Sequence, residues 1–385
     1  MVDRKKYPQL ASLVLKNIHI GMGDAVYISG STHHQAFLEE IGVQVARCGG
    51  QPHISANSDR YYRRLMEAQT VEQLKRTPKM YEALARATDA MVFLESPGDP
   101  RVKRGFQEKM QARSEGMHPI MEIIYGKPGK KWLYMGWPSE GMAQMYGIPL
   151  AELERLIIDG SLIDYAQLQA DCQHVIRLLQ GAKRVHATDP YGTDFWLDVG
   201  GRRLNPDDGI LTPEREAVGD IGGNLPAGEV FVAPVETKGE GTLFCPLTID
   251  DLTRSHILRD VKIRFRDGML IPEECTAREG QDILRDNLKK YVEIDNLQYG
   301  GPNALKVAEL GIGLNPVIDR AIGYILTDEK IGGSVHVAFG RSDMYGGNVA
   351  SSMHWDFVTA PWITLEVEHA DGSRKLLMKD GKLLR

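Results

Sequence analysis

Two short apolar runs constrain the architecture of this chain more than any other feature. Asp24–Ser29 (DAVYIS) and Ala90–Leu94 (AMVFL) are too short for core helices and lack the alternation of a strand with one wet face. Strands buried on both faces belong to parallel sheets covered by helices. The sequence around them supplies those helices. Gln35–Arg47 places Phe37, Ile41 and Val45 on one stripe and stops at Gly49-Gly50, a C-cap pair. Tyr7–Lys16, Met80–Arg86, Val102–Arg113, Leu150–Ile158 and Tyr165–Leu179 also read as helices, and Gln51–Ala56 and Trp132–Gly136 as strands. Alternation of this kind predicts an α/β N-terminal domain with a mostly parallel sheet, residues 1–182.

The pattern changes near Gly181. From there strands dominate: Arg184–Ala187, Asp194–Val199, Glu229–Ala233, Thr242–Cys245, Val261–Arg266, Ser334–Phe339 and Ile363–Glu368. Turn signals such as Asp189-Pro190, Arg266-Asp267-Gly268 and Asp371-Gly372 join them. One long helix, Ala277–Tyr291, interrupts the series. Residues 183–385 are therefore expected to form an α+β C-terminal domain.

Charge and hydropathy remove several function classes. The formal net charge is −6 and no basic run occurs, which disfavours nucleic-acid binding. No apolar stretch approaches the length of a bilayer span, and the first residues (MVDRKK) lead into an amphipathic segment without a signal-like apolar core. These features predict a cytoplasmic protein that engages no membrane. Cys48, Cys172, Cys245 and Cys275 are scattered without a CxxC pair, as expected of free thiols in a reducing compartment. Gly30–Thr32, after the first strand, lacks the GxGxxG and Walker patterns, and an ordinary strand–helix turn accounts for it.

The chemistry-bearing residues fall in the second half. In His354-Trp355-Asp356, residues two apart on an extended segment point to one face, bringing an imidazole and a carboxylate together. His336 lies 18 residues upstream of His354, in an alternating strand. Glu309 stands within the apolar, glycine-rich VAELGIG, where a carboxylate is costly to bury without a partner. Glu229 follows a Pro-Ala-Gly turn at the start of an apolar strand. Two histidines and three carboxylates are the ligand types for one or two divalent metals, with carboxylate left to bridge or act as base.

In these blocks the chain resembles the thermophilic aminopeptidases of metallopeptidase family M29. GTDFWLDVGGR (Gly192–Arg202), NLPAGEVFVAP (Asn224–Pro234), AELGIGLNP (Ala308–Pro316), DEKIGGSVHVAFG (Asp328–Gly340) and HWD (His354–Asp356) follow in the family's order. The resemblance implies a co-catalytic pair of divalent ions per chain (Zn, Co, Mn or Mg) held by Glu229, Glu309, His336, His354 and Asp356. It implies homodimers whose active sites face an enclosed cavity. An aminopeptidase of this kind would take a peptide with a free N-terminus, with Glu309 or Glu229 shuttling a proton to the leaving amine and Tyr345 donating to the oxyanion. The family's active-site tyrosine stands seven residues after the first metal histidine. Asp343 occupies that position here, and the nearest tyrosine is Tyr345. The interval from His336 to His354 is also shorter than usual in the family, so both departures fall in the loop Arg341–Ser352. A second reading uses the same residues differently. Two histidines and one carboxylate also make the facial triad of a mononuclear non-haem iron(II) dioxygenase, and ring-cleaving enzymes of 2,5-dihydroxypyridine breakdown resemble this fold.

Overall fold

The structure is a computed structural model, and it describes residues 2–126, 129–217, 219 and 221–385. The chain divides into two compact units, Met1–Leu162 with Gly209–Pro226, and Ile163–Asp208 with Ala227–Arg385. It thus leaves the first unit, returns once, and leaves again.

Among the described residues the first unit holds a five-stranded sheet in the order Gln51–Asn57, Ala25–Ser31, Ala90–Leu94, Lys131–Met135 and Gly222–Leu225. Every pairing in it is parallel. Ala90–Leu94 is buried along almost its whole length, as its unbroken apolar run requires. Gln35–Arg47 buries Phe37, Leu38, Ile41 and Val45, the stripe read from its spacing. Ser31, in the Gly30–Thr32 turn, accepts a hydrogen bond from the His33 amide and so acts as a local cap. Several helices differ from expectation, among them two of the longer ones. The one expected at Val102–Arg113 begins at Gln107 and runs to Tyr125. Asp59–Ala68 forms a helix that buries only Met66, too little for an apolar stripe to show.

The second unit contains two antiparallel sheets. The larger has nine strands among the described residues and includes Ala182–Thr188, Asp194–Asp198, Gly239–Ile249, Ile257–Arg266 and Thr364–His369. The smaller orders His354–Val358, Val335–Gly340, Val307–Gly313, Glu229–Val232 and Leu204–Asp207. All its pairings are antiparallel. The long helix runs Gln281–Tyr299 rather than Ala277–Tyr291, because Thr276–Glu279 pairs as a strand with Ile257–Arg266. The protein is therefore a mixed α/β structure with one parallel sheet and separate antiparallel sheets. Among the described residues no helix is long and apolar enough to cross a membrane.

Candidate metal centre

Register in the smaller sheet decides which side chains meet. Directly opposed residues of antiparallel strands share a face. Glu309 opposes Ala338, which opposes Asp356 on its other side. His336 opposes Gly311, and His354 opposes Gly340. Glu229 lies between Gly313 and Asp207. Each of the five expected ligands thus has a glycine or alanine beside it on one flank, and that leaves room on this face for bulky polar heads. Gly311 shows how tight the fit is. A Cβ there would lie 1.9 Å from His336 Cε1.

The donors converge in space. His336 Nε2 is 3.3 Å from Glu309 Oε1 and 3.7 Å from Glu229 Oε2. His354 Nε2 is 3.5 Å from Glu309 Oε2 and 3.5 Å from Asp356 Oδ1. One oxygen of Glu309 therefore faces His336 and the other faces His354. Ligand atoms of Glu229, Glu309 and His336 all lie within 4.8 Å of one another. Trp355, between the two donors of the HWD segment, turns to the opposite face and donates from Nε1 to Ile249 O at 3.0 Å.

The electrostatics fit a cation. Glu229, Glu309 and Asp356 are buried, and His336 is fully so. Glu229 Oε2 and Asp356 Oδ1 make no hydrogen bond although buried. Unsatisfied buried carboxylate oxygens are costly, and a hard or borderline divalent ion is their natural partner. Burial alone would favour neutral imidazoles. The Glu309 hydrogen bond and the Glu229 and Glu309 charges outweigh it and raise His336 to about 9. At His354 burial is likewise outweighed, chiefly by Asp356 and then Glu309, and the imidazole rises to about 10. Burial pushes Asp356 up, but His354 and His336 hold it below the usual carboxylate range. A metal that ligates these nitrogens displaces their protons, so metal binding strengthens as pH rises.

Three charged residues that the spacing argument did not single out complete the cluster. Lys330 is entirely buried and donates to Glu229 Oε1 at 2.5 Å. Its ammonium also lies 3.1 Å from Asp207 Oδ2 and 3.7 Å from Glu329 Oε2. Burial opposes the charge on Lys330, yet Glu229, Glu329 and Asp207 raise it well above its ordinary value. Burial likewise pushes Glu329 up to about 8, against the pull of Lys330. The signal available in the sequence was Asp328-Glu329-Lys330, a charged triplet between the apolar Ile325-Leu326 and Ile331. Asp328 is explained locally, since it accepts hydrogen bonds from the Ile322 and Gly323 amides.

Tyr345 and Asp343 separate clearly. Asp343 is a partner of Arg341 on the protein surface, with Arg341 Nε at 2.7 Å. Tyr345 packs against Phe231 and His354. Its hydroxyl donates to Arg341 O at 2.9 Å and lies 3.3 Å from His354 Nδ1. His354 Nδ1 also lies 2.9 Å from Arg341 O, the donor arrangement that leaves Nε2 free to face Glu309 and Asp356. Burial, then the Glu309 and Asp356 charges, raise the Tyr345 phenol well above its ordinary value, so it keeps its proton. The loop is tied at two more points. Asp295, fully buried, accepts from Ser351 Oγ at 2.5 Å and Ser352 N at 2.8 Å, and Glu236 accepts from Asn348 N at 2.8 Å.

Comparison with known proteins defines the class as metallopeptidase. Residues 3–383 match the family described as thermophilic metalloprotease (M29), and the chain belongs to that family. No curated protein matches it significantly in sequence. Among solved structures, wild-type AmpT from Thermus thermophilus is similar at a TM-score of 0.75 and 19% identity, with 99% of this chain and 100% of that chain covered. The 2,5-dihydroxypyridine dioxygenase of Pseudomonas putida KT2440 is similar at 0.59 and 16% identity, with 100% of this chain and 98% of that chain covered. At these identities the two likenesses speak to fold alone.

The close approach of Gly311 to His336 generates a prediction. Gly311→Ala should displace the His336 ring, lower stability by about 1–3 kcal/mol, as overpacking of a core does, and weaken metal binding. Denaturant titration and equilibrium dialysis against Zn(II) measure the two effects. Unchanged metal affinity would show that His336 need not hold this position.

Proposed function

We propose that this chain is a metal-dependent aminopeptidase that removes the N-terminal residue from peptides. The observation that carries the reading is Glu309, with one oxygen toward His336 and the other toward His354. A carboxylate so placed would help hold divalent ions together with the other four donors. Glu229 and His336 would complete one ion's ligands, and His354 and Asp356 the other's. Bound there, divalent ions supply Lewis acidity and bring the pKa of water toward neutrality.

The remaining steps belong to the protein. Glu309 accepts the proton of the attacking water at a carboxylate oxygen and delivers it to the leaving amine. Tyr345 donates a hydrogen bond from its phenol to the carbonyl oxygen as negative charge develops there, and keeps its proton. Turning away costs it little, because Arg341 O keeps the His354 donor. Lys330 holds Glu229 by Oε1 and leaves Oε2 directed toward His336. The same reading has the protein act as a homodimer, as the family resemblance implies. The dioxygenase reading draws on His336, His354 and Asp356 alone and gives Glu229 no task.

His354→Ala is expected to abolish hydrolysis of aminoacyl-p-nitroanilides and to reduce bound metal, since a histidine ligand contributes both affinity and geometry. N-acetylated substrate should resist the wild type, because acetylation removes the cationic amine. Oxygen uptake with a dihydroxylated aromatic ring, one iron per chain and no amide hydrolysis would replace this reading with the dioxygenase.

Tyr345→Phe separates binding from chemistry. The expected outcome is a kcat lowered by about 100-fold, the scale of a lost oxyanion donor, with KM and metal content little changed. Full turnover in the variant would remove the phenol from the reaction.

A further inference from the structure

A cavity of about 250 Å³ adjoins the centre. Asp251, Arg254, Ile325 and Glu329 line it, and His354 and Asp356 form part of its wall. It falls below the range of about 300–1,000 Å³ typical of pockets for drug-sized ligands, a size suited to the end of a chain.

The carboxylates around it are not equally compensated. Asp251 accepts from the Tyr291 hydroxyl at 2.9 Å and faces Arg254 at 3.7 Å. Asp356 faces His354. Glu329 has Lys330 at 3.7 Å, but that ammonium lies closer to both Glu229, at 2.5 Å, and Asp207, at 3.1 Å. One buried cation is thus shared among three carboxylates, and Glu329 is the most distant of them. Glu329 is also the member of that trio that lines the cavity. Asp356, in the same wall, keeps a buried oxygen without a hydrogen bond. A compact cation entering the cavity would favour the charged form of Glu329.

We infer that Glu329 anchors the α-ammonium of the substrate's N-terminal residue within this cavity. The inference rests on the aminopeptidase reading and assigns it a residue. His354 and Asp356 in the wall set the anchored amine beside the metal donors. The first peptide carbonyl is only two bonds along the chain from the amine-bearing carbon's nitrogen, so an amine held here brings that carbonyl to the centre. A peptide without a free amine loses the contact. The anchor therefore acts in selection, by proximity and orientation, and not in bond breaking.

The test compares an aminoacyl-p-nitroanilide with its desamino counterpart, leucyl- against isocaproyl-p-nitroanilide, in wild type and Glu329→Gln. The variant should lose about 10- to 100-fold in kcat/KM on the amine-bearing substrate, the range for one charge-assisted hydrogen bond. Bound metal should stay unchanged, the already slow desamino cleavage should fall far less than the amine-bearing rate, and Glu329→Asp should recover part of the preference. Isoamylamine should inhibit the wild type competitively where isoamyl alcohol does not, a measurement independent of how the variants fold. An intact amine preference in Glu329→Gln, an equal loss on both substrates, or no inhibition by the amine would overturn the anchor while wild-type peptidase activity stands. A wild type that cleaves no aminoacyl anilide would overturn the aminopeptidase reading and the anchor with it.

Discussion

The site depends on one constraint: several carboxylates gather at a buried sheet face, where burial opposes their charge. Asp207, Glu229, Glu309, Glu329 and Asp356 crowd together, and the fully buried Lys330 is the one lysine among them. Taking ions out of water costs several kcal/mol each, and the loss is recovered only by close opposite charge. Lys330 supplies that to Glu229 and Asp207, and the two imidazoles supply it to Glu309 and Asp356. The imidazoles do so only when protonated. Divalent ions in their place would give the same carboxylates more charge in the same volume. The electrostatic frustration of the sheet face is what would suit it to hold metal.

Space is the second requirement, and the strands meet it by pairing large with small. Gly311, Gly313, Ala338 and Gly340 stand opposite the donors, and the Cβ that Gly311 lacks is the volume that His336 fills. The loop after Val335–Gly340 is then fastened by groups distant in sequence. Asp295 on the long helix grips Ser351 and Ser352, and Glu236 grips Asn348. Held at both ends, the loop presses Tyr345 behind His354 and fixes the ring so that Nε2 faces the carboxylates. Preorganised geometry of this kind is paid for in folding, before any ligand binds.

Much of this was legible in the residues, for stated reasons. Apolar runs without alternation announced the parallel sheet, and Ala90–Leu94 and Gln35–Arg47 form the elements their patterns describe. Glu309 stood out because a carboxylate in an apolar run needs a partner, and His354 and Asp356 because a strand repeats every two residues. What sequence could not supply was register, which brings Glu229, Glu309 and His336 onto one face from three strands. Gly222–Leu225 was hidden because two glycines give a strand no apolar signature, and because the chain returns to the first unit only after an excursion. Lys330 was missed because a lysine beside two acids reads as solvated surface, and only its complete burial reveals the opposite. Tyr345 was singled out by offset alone; the structure sets its hydroxyl 3.3 Å from His354 Nδ1, whereas Asp343 pairs with Arg341 at the surface.

The most direct measurement of the central claim is anomalous diffraction from crystals grown with Zn(II) or Co(II). Two peaks are expected in each chain, about 3.5–4 Å apart as in two-metal sites, both touching Glu309, with His336 and Glu229 at one and His354 and Asp356 at the other. A single peak held by His336, His354 and Asp356, with Glu229 still bound to Lys330 and remote from the metal, would contradict it.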